Sequence, residues 1–213
     1  MRRSTLVFLV LFGLMAFCGS SSALELDEVG IQVRLMHDPF LDDGNLRLAA
    51  TVSGYCKIAV TEGWTMRAEL GCPIDLWLPW IGLASSHRIG DRWAVEVQLA
   101  AQGDLAYSLY LTLNAGVRAV LASSDRSRLM LASFPVSIAG LWYFSPSDFM
   151  LVPSVSANAA LDFAWAASEH LVLGQSLGLS VARLGGLSSE TALPLGEAFG
   201  LLIDSRTRVG YRP

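Results

Sequence analysis

Three histidines, His37, His87 and His170, are the side chains that could act as general bases near neutral pH. Serines stand beside two of them, in "SSHR" at 85–88 and "SEH" at 168–170, and a nucleophile needs a base within reach. Neither segment has the spacing histidine–any residue–serine, and the sequence has no metal-ligand cluster or phosphate-binding glycine loop. We therefore predict that the protein is not an enzyme and that it holds no metal and no cofactor.

Charged residues that alternate with apolar ones are a second group whose side chains could bind or react. Five are basic and four are acidic: Arg34, Arg47, Lys57, Arg67 and Arg118, and Glu69, Asp75, Glu96 and Asp162. Unpaired charges are costly inside a protein. If these nine side chains share one enclosed surface, their near balance predicts ion pairs. Their role therefore depends on the elements that carry them.

The segment "LAYSLYLTLNAGVRAVL" at 105–121 shows what those elements are. Its odd positions are all apolar, whereas its even positions are mostly small or polar. Since side chains of a strand alternate between its faces, this pattern predicts a strand with one apolar face. At 17 residues it is far longer than the usual strand of about 5–6 residues. Similar alternation recurs at 46–60, 64–78, 93–99, 129–144 and 149–163, and more weakly at 29–36, 169–182 and 193–212.

The N-terminus has the layout of a secretory signal peptide. Arg2 and Arg3 precede an apolar run at 6–17, and Ser21 and Ala23 fit the positions before a cleavage site. We predict a signal peptide at 1–23 and a single exported domain at 24–213. A lipidated Cys18 is the alternative, and Phe17 fits it poorly.

Charge excludes one class of partner. Without Arg2 and Arg3 the chain carries 13 basic and 19 acidic residues, a net charge of −6, and it has no basic stripe. Phosphate backbones are bound through such stripes. We therefore expect no nucleic acid as a partner.

The apolar composition distinguishes the remaining architectures. The sequence is 53% hydrophobic and only 16% charged. Its best candidate for a membrane helix, 129–147, contains Pro135 and Gly140, and its apolar residues alternate instead of following helical spacing. A secreted β-sandwich would also alternate, but it would need less apolar surface. The sequence therefore predicts an all-β, antiparallel, up-and-down transmembrane barrel, in which Pro73, Pro135 and Pro153 would occupy bulges or bends.

Connections and aromatic residues support the barrel and suggest its size. Short turns are predicted at 61–63, 102–104 and 145–148, and longer loops at 37–45, 80–92 and 123–128. Aromatic residues such as Trp77, Trp93 and Trp165 fall near the ends of the alternating runs, as in the aromatic girdles of membrane barrels. Eight strands fit the length best, and ten are the alternative.

Cys56 and Cys72 flank the first turn and are candidates for a cross-strand disulfide or for two lipid-facing thiols.

The chain resembles the small bacterial outer-membrane β-barrels of the OmpW-like and OmpX-like groups. The terminal stretch "TRVGYRP" carries Val209, Gly210, Tyr211 and Arg212 of the alternating signal that closes such barrels, with Pro213 in place of the final aromatic. The resemblance implies a bacterial outer-membrane location, with the lipid bilayer and the outer-membrane assembly machinery as partners. It also implies a narrow route for small hydrophobic solutes. The alternatives are a non-conducting structural or surface-interaction barrel and, less favoured, a lipid A-modifying enzyme.

The nine charged residues would then line the interior of the barrel. In a barrel of about eight strands, side chains fill most of the bore. The charges would therefore form either a structural plug or a narrow polar conduit with a gate.

Overall fold

The computed structural model describes residues 25–37, 48–73, 80–104, 108–144, 149–184 and 199–213. Its strands are β1 (Glu25–His37), β2 (Leu48–Thr61), β3 (Trp64–Pro73), β4 (Trp80–Ile89), β5 (Trp93–Asp104), β6 (Ser108–Ser123), β7 (Ser127–Phe144), β8 (Phe149–Ala166), β9 (Leu171–Leu184) and β10 (Phe199–Tyr211). Each strand pairs with its neighbours in the chain, and β10 returns to β1, so the ten strands close into an antiparallel barrel. The described residues include no helix that is long and apolar enough to cross a membrane.

The barrel is apolar outside and polar inside. Along β1, Ile31 is 61% exposed on the outer face, whereas Gln32, next in the chain, is 4% exposed inside. On β9 the outward Leu177 is 58% exposed, and the inward Ser176 is buried. Because water-soluble proteins bury large apolar side chains, this inverted arrangement requires an apolar environment around the barrel. The single closed barrel also excludes the β-sandwich.

Ten strands close the ring, so the prediction of eight was wrong and its ten-strand alternative is correct. One strand that the alternation did not predict lies at 80–92, which we interpreted as a longer polar loop. Residues 80–89 instead form β4, which pairs with β3 and β5 along its length. The outward Ser85 hydroxyl accepts a hydrogen bond from Trp64 Nε1 at 2.8 Å, which satisfies a polar group on the apolar face.

The four connections that the structure describes lie at one end, which we call the turn end. They are residues 62–63, 90–92, 124–126 and 167–170, and β1 begins and β10 ends beside them. The predicted assignment of turns was wrong for 102–104, which continue β5, and for 123–128, where the connection is only three residues long. Gly90 has a φ of 68°, a left-handed conformation that favours glycine.

Four aromatic residues form a girdle on the outer surface of the barrel at the turn end. Trp64, Trp93, Trp165 and Tyr211 lie at or next to strand ends there, with exposed fractions between 38% and 56%. Such residues prefer the depth of lipid headgroups. Trp77, also predicted to lie in a girdle, falls outside the described residues.

A β-bulge in β7 changes which side chains face the bore. The register shifts on both sides of Pro135, against β6 and against β8, as predicted for a proline within the sheet. The shift changes the face of every residue before it, so Phe134 is buried inside while Ile138 is 53% exposed outside. A side chain at Gly116 would collide with the Ser133 carbonyl and the Phe134 ring, so the bulge requires glycine there.

The other two prolines do not occupy bulges. Pro73 is the last residue of β3, and Pro153 opposes Gly140 in regular register. The pairing of β8 with β9 begins at Ser154, so Pro153 lies just beyond that ladder. A missing N–H costs little where no strand pairs on that side.

Candidate functional site

A cavity opens into the bore from the turn end; we call it the vestibule. Its volume is about 530 Å³, and its rim includes the turn residues Gly63, Asp91 and Asp125. Nine basic residues line it: Lys57, Arg67, Arg88, Arg92, Arg118, Arg126, Arg128, Arg208 and Arg212. Six acidic residues do so: Asp27, Glu28, Glu62, Asp91, Glu96 and Asp125. The vestibule therefore has an excess of positive charge, although the whole chain is acidic.

Three arginine side chains form the inner floor of the vestibule; we call them the septum. Arg67, Arg118 and Arg208 line both the vestibule and a second cavity of about 20 Å³ on their other side. They come from β3, β6 and β10, which lie in different parts of the ring. The barrier between the two cavities is thus made of side chains, and no backbone segment of the described residues crosses it.

Arg118 is the most completely paired arginine of the septum. Its guanidinium contacts Glu96 on the adjacent strand β5 and lies 2.5 Å from Asp162 on β8. Glu96 is 4% exposed and Asp162 is 7% exposed, so both carboxylates are buried. To reach β8 the arginine passes over Ala132 of β7, which is 1% exposed. A small residue at that position leaves room for the ion pair.

Arg67 is only partly compensated. It donates to Gln32 Oε1 at 2.8 Å and to Glu69 Oε2 at 3.2 Å. Its guanidinium carbon also lies 4.2 Å from the centre of the Tyr55 ring, a cation–π contact. Its Nε atom is buried and has no hydrogen-bond partner among the described residues.

Arg208 forms no ion pair with any described residue. Within the part of the chain that the structure describes, the Nε atoms of Arg208 and Arg212 are buried without a hydrogen-bond partner. The Arg208 side chain packs against Gly174 of β9, where any Cβ would collide with it. Glycine at 174 therefore provides the space that Arg208 occupies.

Further polar contacts surround the septum. Asp204 is 3% exposed and accepts hydrogen bonds from Arg34 at 2.7 Å and from Arg206 at 2.9 Å. Toward the turn end, Lys57 pairs with Asp27, and the Tyr55 hydroxyl donates to Glu28. These contacts fix the interior wall, because each buried carboxylate has a partner.

The structure places seven of the nine predicted charges on the inner face of the barrel. Their pairs are Arg34–Asp204, Lys57–Asp27, Arg67–Glu69 and Arg118 with both Glu96 and Asp162. Arg47 and Asp75 lie outside the described residues, as do the signal peptide at 1–23 and Cys18.

Sequence reasoning missed the polar residues of β10. Asp204, Arg206 and Arg208 alternate inward, but we interpreted the segment as weak because polar residues also occur on its outer face. Gln175 of β9 accounts for them: it donates to Ser205 at 2.9 Å and accepts from Thr207 at 2.7 Å. These three outward side chains bond to one another, so the strand tolerates them. The alternation of charge at 204, 206 and 208 was the available signal.

Cys56 and Cys72 do not form a disulfide with each other. Cys56 opposes Ala68, and Cys72 opposes Val52, so the cysteines are four positions out of register. Four residues along a strand span about 13 Å. A disulfide needs Cα atoms about 4.4–6.8 Å apart.

The histidine–serine segments have structural contacts. Ser168 Oγ accepts the backbone N–H groups of His170 and Leu171 in the last turn. The His170 ring contacts the Arg212 carbonyl at 3.0 Å and stacks on Tyr211. His87 is exposed on β4. None of the described groups of His, Cys, Asp and Glu could hold a metal ion.

Comparisons with known proteins found barrels of similar extent. The translocator domain of autotransporter NalP from Neisseria meningitidis matches 99% of this chain and 97% of its own, with 14% identity and a TM-score of 0.47. The N-terminal β-barrel domain of Pseudomonas aeruginosa OprF matches 87% and 96%, with 10% identity and a TM-score of 0.40. The outer membrane protease OmpT from Escherichia coli matches 88% and 93%, with 6% identity and a TM-score of 0.38.

No family model and no curated protein matches the chain. Among the solved structures similar to it are the KdgM and NanC porins and an outer membrane protease.

Proposed function

We propose that this protein is a bacterial outer-membrane β-barrel with a narrow, gated route for small polar solutes. The observation that carries the proposal is the septum. Arg67, Arg118 and Arg208 line both the vestibule and the second cavity. These side chains and their partners separate the two cavities. Side chains can change rotamer within nanoseconds where they are not locked, so a layer of this kind can open.

The polarity of the bore selects the solute. Large apolar side chains are exposed on the outside of the barrel, while charged and amide side chains line the inside. A hydrophobic solute in such a bore would displace water from the polar side chains of the wall without offering them hydrogen bonds. The sequence alone led us to expect a hydrophobic solute, and we now propose a polar one.

The orientation follows from the connections. Bacterial barrels have short periplasmic turns, and an even number of strands puts both termini on that side. The turn end, with the vestibule, would therefore face the periplasm. The proposal includes export through the predicted signal peptide at 1–23 and assembly of residues 24–213 by the outer-membrane machinery.

Planar-bilayer conductance tests the proposal. We expect discrete openings from refolded protein, and larger or longer openings from Arg208→Ser, which removes a septum side chain without leaving a carboxylate unpaired. Arg92→Ser changes an exposed residue of the rim and serves as the matched control. Absence of current from wild type and from Arg208→Ser, with both correctly assembled, would contradict the proposal.

A non-conducting structural barrel is the second candidate. The observation that favours it is the pairing of Arg118 with two buried carboxylates, which locks one third of the septum. A structural barrel predicts no current from wild type or from Arg208→Ser. Catalysis is not part of either proposal, and the prediction that the protein is not an enzyme stays a prediction.

A further inference from the structure

Positive charge is concentrated where the vestibule meets the septum. Arg67 and Arg208 line the same two cavities, so two guanidinium groups meet there. Of these two, only Arg67 has a carboxylate partner among the described residues, Glu69 at 3.2 Å. Like charges in an enclosed site are costly unless an opposite charge compensates them.

Unsatisfied donors occur at the same place. The three buried side-chain atoms that have no hydrogen-bond partner among the described residues are the Nε atoms of Arg67, Arg208 and Arg212, and all three arginines line the vestibule. Buried donors are nearly always paired, with protein, water or a ligand. Their three guanidinium groups beside one cavity therefore carry positive charge that the described residues compensate only in part.

The carboxylates on the wall of the vestibule are already engaged. Glu96 contacts Arg118, Asp27 contacts Lys57, and Glu28 accepts from the Tyr55 hydroxyl and lies 3.9 Å from Arg212. None of them contacts the guanidinium of Arg208. The wall of the vestibule therefore offers Arg208 no ion-pair partner among the described residues.

We infer that the floor of the vestibule binds a small anion with a carboxylate or phosphate group, held by Arg208 and Arg67. Planar guanidinium groups suit such anions because they donate two parallel hydrogen bonds. Gly174 supports the site by leaving the space in which the Arg208 side chain lies. A cavity of about 530 Å³ has room for more than an inorganic ion, so a phosphorylated or acidic sugar would also fit.

As a statement about what passes through the bore, this inference rests on the proposed function. As a statement about binding, it requires only the vestibule. The two can therefore fail separately: anion binding without current contradicts the proposed function alone, and current without anion binding contradicts this inference alone.

Calorimetric titration of the refolded protein in uncharged detergent tests the site. The probes are inorganic phosphate and glucose 6-phosphate, with glucose as the neutral control. We expect saturable binding of both anions, no binding of glucose, and affinity weakened about tenfold by Arg208→Gln, which corresponds to about 1.4 kcal/mol. Arg126→Gln, an exposed turn arginine on the rim, removes the same charge and should bind like wild type.

Three results would overturn the inference: no saturable binding by wild type, unchanged affinity in Arg208→Gln, or an equal loss in both variants, which would indicate general charge attraction only. If Arg208→Gln fails to assemble, Arg208→Lys replaces it. That variant keeps the charge but loses the planar fork, so we expect intermediate affinity. Wild-type affinity in Arg208→Lys would contradict the role of the guanidinium.

Discussion

Replacing Arg118 by leucine tests the network of ion pairs most sharply. The substitution removes the partner of two buried carboxylates, those of Glu96 and Asp162. Truncating one member of a buried pair costs about 3–5 kcal/mol. Glu96 would keep the hydrogen bond from Gln98 Nε2 at 2.5 Å, which favours the lower end, about 3 kcal/mol. For a chain of this size that corresponds to a fall of roughly 6–12 °C in the melting temperature.

The assay is thermal and urea unfolding of refolded protein in one detergent. Arg128→Leu is the matched control, because Arg128 is exposed at the rim and forms no ion pair with a described residue. Adding Glu96→Gln and Asp162→Asn to Arg118→Leu should recover part of the loss, since no charge is then left unpaired. A melting temperature within 1 °C of wild type for Arg118→Leu would refute the buried ion-pair cluster, and so would a triple variant no more stable than the single one.

Three further predictions concern the wall of the barrel. Val117→Arg puts a charge on the apolar outer face, and we expect a loss of about 2–4 kcal/mol in the free energy of unfolding in lipid if the position lies near the midplane; a variant as stable as wild type would contradict the lipid-facing assignment. Ala132→Leu would displace the Arg118–Asp162 bridge and lower the free energy of unfolding in urea by about 1–3 kcal/mol. An unchanged urea midpoint would show that the bridge does not cross Ala132. The folded barrel should migrate differently on a gel before and after boiling, and identical migration together with a helical circular-dichroism spectrum would contradict the fold.

Period-2 alternation predicted most of the strands because lipid and bore impose opposite polarities on successive residues. β6 illustrates this, since Leu113 is exposed outside and Asn114 lies inside. The rule failed for β4, because its small and polar residues resemble those of a loop. Main-chain hydrogen bonds to β3 and β5 on either side hold this segment as a strand. The count of eight came from the chain length divided by the length of the runs; the nine alternating runs and β4 together make the ten strands.

The bulge at Pro135 shows a second limit of sequence reasoning. The proline predicted an irregularity, but the pattern could not reveal that Met130 and Phe134 turn into the bore, because one inserted residue reverses the face. The partners of the charged site residues depend on register as well. Alternation alone allowed Glu96 or Asp162 as partners of Arg118, and the register of the four strands β5 to β8 brings both of them to it.

The alternation of lipid-facing and bore-facing residues along β6 is the central claim, and spin-label accessibility measures it directly. Single cysteines in place of Leu113, Val117 and Asn114, with Cys56 and Cys72 replaced by alanine, would be labelled after reconstitution into bilayers. We expect high collision rates with oxygen, which dissolves in lipid, at 113 and 117 and low rates at 114. Equal oxygen accessibility at all three positions, or high accessibility at 113 and 117 to a water-soluble nickel complex, would contradict a barrel with an apolar outer face in the membrane.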